Sequence, residues 1–153
     1  MKEVRKQREE QYLSLLPQME ELLKDEDDLI ANMANFVAAL YAEFKFHWIG
    51  FYRVVGDELR LGPFQGPVAC TRIAKGKGVC GTAWAKGKPQ LVYNVEDFPG
   101  HIACSPFSKS ELVLPVRSRG SIVAVLDLDS ENLSEFSEMD TKSLEKMLLL
   151  LIK

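Results

Sequence analysis

Three cysteines are the residues of this chain best suited to covalent chemistry, and none belongs to a paired motif. Cys70, Cys80 and Cys104 lack the two-residue spacing that a zinc knuckle or a thioredoxin-type dithiol requires. An odd count in a short chain also argues against a secreted disulfide scaffold, so we interpret them as active thiols in a reducing compartment. The alternative is that some are small buried apolar side chains, as most free cysteines are.

Glycine or proline lies near each cysteine, which predicts thiols that are accessible and able to move. Lys75, Lys77 and His101 lie close in sequence and would favour a thiolate. A thiolate beside a second thiol supports sulfenic acid chemistry, in which one sulfur accepts oxygen and the other expels it as water by forming a disulfide. A structural role for His101 is expected over direct proton transfer. The segment 76–81 lacks the spacing of a phosphate-binding loop.

A predicted hairpin, formed by residues 111–117 and 121–129 around a three-residue turn, carries a cluster of acidic residues. Its expected register sets Glu111 opposite Asp127, with Asp129 diagonal to it. Facing like charges are destabilising unless a cation, a ligand amine or a shared proton offsets them. The alternative is that these strand ends are simply solvated. A divalent metal would also use such oxygens, so the hairpin alone does not name a ligand.

Helical patterns at both ends of the chain enclose a region of strand patterns. Pro17 is expected to split the first helical section into two pieces, and Asp27 or Asp28 to cap the next helix. The remaining expectations are strands at 46–55, 58–61 and 90–94, helical turns within 79–85, and a closing helix from about 140 to 152 with Ser137 as its cap.

These elements predict an α+β fold with a central antiparallel sheet. Trp48 and Tyr52 are four residues apart on the first strand and therefore share a face, which is either core or pocket. The 153 residues suit a single domain, with residues 1–26 as a helical extension.

The composition excludes some classes of function. The formal charge of −3 argues against nucleic acid binding, and no apolar run reaches membrane-spanning length. The N-terminus is charged and does not resemble a signal peptide, so we expect a cytoplasmic location. The apolar stripes of the terminal helices are compatible with a homodimer.

Several segments together closely resemble the free methionine-(R)-sulfoxide reductases, which are enzymes built on a GAF domain. The matching segments are GPVAC at 66–70, GTA at 81–83, FPGHIAC at 98–104, SELVLP at 110–115, WIGFY at 48–52 and LDLDS at 126–130. The resemblance implies a central antiparallel sheet flanked by helices, with loops that close over a small pocket. It also implies reduction of free L-methionine-(R)-S-oxide to methionine, with thioredoxin recycling the enzyme and no bound cofactor or metal.

The resemblance also assigns roles to the cysteines. Cys104 would be the nucleophile that attacks the sulfoxide sulfur and is left as a sulfenic acid. Cys70 would be the main resolving thiol, with Cys80 a secondary partner or relay. One departure is that Ser105 follows Cys104, where the family usually has an acidic residue.

By the same resemblance, the acidic residues and the two aromatic residues would form the substrate pocket. Glu111, Asp127 and Asp129 would hold the substrate amino group and favour a protonatable sulfoxide oxygen, and Trp48 and Tyr52 would wall the pocket around the thioether methyl. The main alternative is a GAF module that binds a small ligand without catalysis, because one fold hosts many functions. A structural protein would leave the acidic cluster unexplained.

Overall fold

The fold, obtained as a computed structural model that describes residues 2–102 and 104–153, combines helices with one antiparallel sheet. Within this range there are four α-helices and six strands. In chain order they are α1 (Lys2–Leu23), α2 (Leu29–Phe44), β1 (Trp48–Val55), β2 (Glu58–Gln65), β3 (Arg72–Ala74), α3 (Gly78–Lys86), β4 (Gln90–Val92), β5 (Ser110–Ser118), β6 (Ser121–Ser130) and α4 (Glu138–Leu148). The strand order is β3-β2-β1-β6-β5-β4, with antiparallel pairing throughout. The predicted α+β class is confirmed.

The sheet separates two apolar clusters, because neighbouring residues of a strand point to opposite faces. On β5, Leu112 and Leu114 belong to the cluster shared with α1, α2 and α4. Val113, between them, belongs to the smaller cluster that packs against α3. The side chains of interest for chemistry lie on this second face, where one short helix and several loops cover the sheet.

The turn of the β5–β6 hairpin has two residues rather than the predicted three. Arg119 and Gly120 both have positive φ, 52° and 81°, as in the tight turns whose twist matches that of the strands they join. A register shift follows between Val116 and Arg117. The predicted pairing beyond the turn is therefore wrong.

The corrected register places Glu111 opposite Asp129, and Asp127 opposite Val113. The prediction had Glu111 opposite Asp127, so the difference amounts to two residues along β6. Because side chains alternate between faces with a period of two, a displacement by two keeps every side chain on its predicted face. The three carboxylates therefore still meet.

Helix α1 runs through Pro17 without interruption, which corrects the prediction of two short helices. Proline lacks the N–H that would bond the carbonyl of Leu13, but both residues are exposed and water can satisfy that oxygen. The helix is stabilised by its buried face, which consists of Tyr12, Leu15, Met19 and Leu23.

Capping residues define where the helices begin. Asp28 accepts a hydrogen bond from the N–H of Ala31 at 2.9 Å, so the predicted cap of α2 is confirmed. The N–H of Ser137 donates to Asp140 at 2.8 Å in a capping box at the start of α4, as predicted. Asp140 also accepts a bond from the hydroxyl of Tyr12 at 2.8 Å. That bond ties α1 to α4, although the assignment of residues 1–26 as an extension of a single domain stays a prediction.

Replacing Pro17 with alanine is expected to raise the free energy of unfolding, by up to about 3 kcal/mol, because a helix-interior proline both clashes and removes a hydrogen bond. Urea denaturation followed by circular dichroism measures the change. Glu20→Ala, at an exposed position of the same helix, is the control and should shift stability by less than about 0.5 kcal/mol. A lower stability of Pro17→Ala would contradict this account.

Candidate active site

A cavity of about 40 Å³ lies on the α3 side of the sheet, between the start of β1, the start of α3 and the acidic end of the β5–β6 hairpin. The loop that carries Cys104 closes it. The predicted site residues that line it are Trp48, Tyr52, Cys80, Cys104, Glu111, Asp127 and Asp129. The structure thus brings together residues from four separate segments of the chain. Cys70 does not line the cavity but is bonded to a residue that does.

A disulfide joins Cys70 to Cys104, with 5.5 Å between their Cα atoms and a sequence separation of 34. The Cys70 side of this bond is attached to β1 by two hydrogen bonds. The Tyr52 hydroxyl donates to the carbonyl of Cys70 at 2.9 Å, and the Trp48 indole N–H donates to the carbonyl of Pro67 at 3.0 Å. The two aromatic residues therefore hold the Cys70 segment as well as lining the cavity, a function that sequence reasoning missed.

Trp48 lies flat across β1 and stacks on its neighbours. Its ring centroid is 5.9 Å from that of Tyr52 and 5.3 Å from that of Phe64. Gly50 makes this packing possible, since a Cβ there would lie 2.5 Å from Cη2 of the indole. Any larger residue at position 50 would displace the indole and the backbone bond that it makes.

Cys80 is placed in the cavity wall by the close approach of α3 to the preceding turn. Gly81 allows this approach, because a Cβ at that position would lie 2.5 Å from the carbonyl oxygen of Ala74. The N–H of Gly76 donates to the carbonyl of Gly81 at 2.9 Å and fixes the turn. As a result Cys80 sits inside a helix and is 4% exposed. The prediction that each thiol is accessible and able to move is wrong for Cys80, whereas the predicted helical turns within 79–85 are confirmed.

The expected thiolate is also wrong for Cys80. Burial raises the pKa of this thiol well above its usual value, and the nearby Asp127 and Glu111 raise it further. Lys75 does not offset these effects, because its ammonium group lies over the Trp84 ring, 4.9 Å from the centroid. Cys80 is therefore a neutral, protonated thiol.

The three hairpin carboxyl groups share one desolvated environment. Glu111 and Asp127 are 6% and 5% exposed, and Asp129 is half-buried beside them. Burial, followed by repulsion between the carboxylates, raises the pKa of each of the three well above its usual value. Among the described residues, nothing donates a hydrogen bond to Oδ1 of Asp127. The cluster consequently retains protons that ordinary carboxylates would release, and it offers an unoccupied acceptor to a cation.

His101 lies at the cavity beside the acidic cluster. Its Nε2 is 3.7 Å from Oε1 of Glu111, and burial lowers its pKa. This position puts the imidazole close to the carboxyl group of Glu111. The structural role that the sequence favours for His101 stays a prediction.

Polar contacts of Ser105 and His47 anchor the Cys104 loop to the sheet, and the spacing of these residues in the sequence did not indicate them. His47, just before β1, contacts Oγ of Ser105 through Nε2 at 3.3 Å. Its other ring nitrogen lies 3.2 Å from Oε1 of Glu131, just after β6. The N–H of Phe107 also donates to Oγ of Ser105, at 3.4 Å. Ser105 therefore makes polar contacts on both sides, which gives this position a local function in holding the loop.

Sequence reasoning also missed the apolar part of the cavity wall. These side chains come from the two cysteine loops, β3 and α3; they are Val68, Ile73, Val79 and Ile102. The available signal was that apolar residues recur within the glycine-rich segment and next to Cys104. A wall that is apolar on one side and acidic on the other suits a small ligand with a thioether-like tail and an amino group.

This fold and site have known counterparts. The family model described as "GAF domain" matches residues 24–149. The chain therefore belongs to the GAF domain family.

Individual relatives define the group more narrowly. The free methionine-R-sulfoxide reductase of Escherichia coli is 41% identical over 143 residues, 93% of this chain and 87% of that protein. The Saccharomyces cerevisiae protein of the same name is 38% identical over 155 residues, 95% and 86% of the two chains. A solved structure of the Neisseria meningitidis reductase in complex with its substrate has a TM-score of 0.90 and 50% identity, covering 92% of this chain and 85% of that one. Within the GAF family, this chain belongs to the free methionine-R-sulfoxide reductases.

Asp127→Asn provides a test of the buried cluster through its pH dependence. Because the pKa of Asp127 is raised on folding, the folded protein holds a proton that the unfolded chain releases above about pH 4. The free energy of unfolding therefore falls as pH rises through the window between the unfolded and the raised folded pKa. The asparagine variant lacks this titration, so its stability relative to wild type should increase from about pH 5 to about pH 8.

Urea denaturation at both pH values measures the difference. Asp57→Asn, at an exposed position in the β1–β2 turn, is the matched control and should show the same offset from wild type at each pH. A stability of Asp127→Asn relative to wild type that decreases as pH rises would contradict a raised pKa.

Proposed function

We propose that this chain reduces free L-methionine-(R)-S-oxide to L-methionine, with Cys104 as the nucleophile and Cys70 as the resolving thiol. One observation carries the proposal: Cys104 lies in the wall of the same small cavity as Glu111, Asp127 and Asp129. The named relatives support the same substrate.

The acidic cluster suits both charged features of the proposed substrate. The ammonium group of a free amino acid offsets the repulsion between the carboxylates and gives Oδ1 of Asp127 the donor that it lacks. A carboxyl group kept protonated by its neighbours acts as a general acid toward the sulfoxide oxygen. Trp48 and Tyr52 supply the apolar surface for the thioether end.

The proposed reaction balances with two thiols. The sulfur of Cys104 attacks the sulfoxide sulfur, the oxygen is transferred to Cys104 as a sulfenic acid, and methionine leaves as the thioether. The Cys70 thiol then attacks the sulfenic sulfur, an S–S bond forms, and the oxygen leaves as water. The sulfoxide has gained two electrons in becoming methionine, and the two cysteines have lost them in forming the disulfide.

Cys70 is preferred over Cys80 as the direct resolving thiol on geometric grounds. The Cys70 sulfur is bonded to Cys104, whereas Cys80 is buried and protonated in α3. A thiol that is neutral and lacks freedom to move attacks a sulfenic acid slowly. Cys80 as a relay remains a prediction from the family resemblance.

Substrate entry is proposed to require the reduced form. A cavity of about 40 Å³ holds roughly three water molecules, which is too small for an amino acid with a sulfoxide side chain. Breaking the bond between Cys70 and Cys104 releases the loop that closes this cavity. The disulfide form is thus assigned to the end of the catalytic cycle.

Each turnover requires an external dithiol, and we propose thioredoxin for this step, with no bound cofactor or metal. Three large apolar side chains next to the disulfide support a docking surface for a protein reductant: Val68 is 89% exposed, Phe107 63% and Ile102 39%.

A thioredoxin-dependent repair of free methionine fits a cytoplasmic location. In the described residues, no helix has both the length and the apolar character that crossing a membrane requires.

A thioredoxin-coupled assay on separated R and S sulfoxides tests the proposal. We expect turnover of the free R form only, and a loss of about a thousandfold or more in Cys104→Ser, because no other thiol at the cavity is exposed and deprotonated. Cys70→Ser should release about one methionine per chain without reductant and then stop, since its Cys104 sulfenic acid is not resolved.

The comparison of these two variants provides the internal control, because both lose the disulfide but only one loses the nucleophile. Multiple turnover by Cys104→Ser would assign the chemistry to another thiol. Equal turnover of peptide-bound methionine sulfoxide would refute a cavity that encloses a single amino acid.

A further inference from the structure

The buried thiol and the acidic cluster together form a set of metal ligands. Sγ of Cys80 and one carboxylate oxygen each from Glu111 and Asp127 all lie within 4.8 Å of one another, and all three residues are buried. Asp127 lines the cavity, and its Oδ1 is buried with no hydrogen-bond partner in the part of the chain that the structure describes. A buried acceptor without a donor indicates that the site accommodates a cation.

We propose that this cluster binds one thiophilic divalent cation, represented by Zn²⁺, through Cys80, Glu111 and Asp127, and that the bound ion inhibits the enzyme. The inhibitory part rests on the proposed function, because the ion would occupy the position of the substrate's ammonium group. Three protein ligands leave one position of a tetrahedral shell for water.

The donor set selects zinc over the common hard cations. Ca²⁺ requires six to eight oxygen ligands, and Mg²⁺ retains several waters in an octahedral shell. One of the three protein ligands here is a thiolate, whereas hard cations prefer oxygen ligands. Zn²⁺ is a borderline-soft ion that takes four ligands. One thiolate, two carboxylates and one water complete its tetrahedral shell.

Zinc binding at this site is an exchange of protons for a metal ion. A Zn–S bond forms as the Cys80 thiol releases its proton to solvent, and a carboxyl group that holds a proton releases it in the same way. No atom is oxidised or reduced. The positive charge then offsets the repulsion between the carboxylates and provides a partner for the free oxygen of Asp127.

The disulfide form allows the site to be tested in isolation. With Cys70 and Cys104 bonded to each other, Cys80 is the remaining free thiol among the three cysteines. Metal–thiolate bonding in the oxidised protein is therefore attributable to Cys80. In the reduced protein the other two thiols could also bind zinc, so binding is measured on the oxidised form.

The binding experiment titrates the oxidised protein with Zn²⁺ against a chromophoric chelator. We expect one ion per chain, and an affinity at least about tenfold weaker in Cys80→Ala and in Asp127→Asn. Asp57→Asn is the matched carboxylate control and should bind zinc as wild type does. Mg²⁺ should not compete. No zinc binding, or equal binding by all the variants, would overturn the proposal.

A spectroscopic measurement keeps the test independent of variants that fold poorly. Co²⁺ added to the oxidised wild-type protein should give the near-ultraviolet sulfur-to-metal charge-transfer band of a cobalt–thiolate bond, and Zn²⁺ should abolish it. Co²⁺ binding without this band would exclude Cys80 as a ligand and overturn the proposed site.

The inhibition is tested separately on the reduced enzyme. Zn²⁺ should raise the apparent KM for methionine sulfoxide in wild type and in Asp57→Asn, and should raise it less in Cys80→Ala, which keeps the Cys70 and Cys104 thiols. Zinc binding with an unchanged KM would overturn the inhibitory role alone. If the protein proves inactive on methionine sulfoxide, the binding and cobalt measurements still decide whether the metal site exists, so failure of the proposed function is distinguishable from failure of the site.

Discussion

Burying three carboxyl groups at one end of a hairpin is the constraint around which this molecule is organised. Glu111, Asp127 and Asp129 repel one another and lose hydration, so they are tolerated only with retained protons or with a bound cation. Strands β5 and β6 hold them rigidly, because their other faces are fixed in the apolar cluster beneath α1, α2 and α4. The stability of that cluster offsets an arrangement that is unfavourable by itself.

The remaining parts of the site follow from that constraint. Helix α3 adds the Cys80 thiol, which keeps its proton because burial and the nearby carboxylates raise its pKa. The aromatic residues of β1, Trp48 and Tyr52, complete an apolar wall. In the proposed reaction, this one cluster both binds the substrate amine and supplies protons to the leaving oxygen. The proposed metal site depends on the same requirement for positive charge.

Much of this site could be predicted from the sequence because its residues lie on regular strands or in distinctive segments. The period of two fixed the face of each hairpin residue, so an error of two in register left the carboxylates together. Where long-range packing decides, prediction failed. Burial of Cys80 depends on the contact of Gly81 with Ala74, and the anchoring of Ser105 depends on His47, a residue distant in sequence. The continuity of α1 through Pro17 likewise depends on its buried face against the other helices.

The bond between Cys70 and Cys104 closes a covalent ring that contains β3, α3 and β4, and therefore most of one wall of the cavity. Closing a ring of 34 residues removes chain entropy from the unfolded state worth about 3–4 kcal/mol. The oxidised protein is consequently the more resistant to unfolding, and breaking the disulfide relaxes this wall of the cavity. The reduced form is thus also the form more exposed to proteolysis and thermal inactivation.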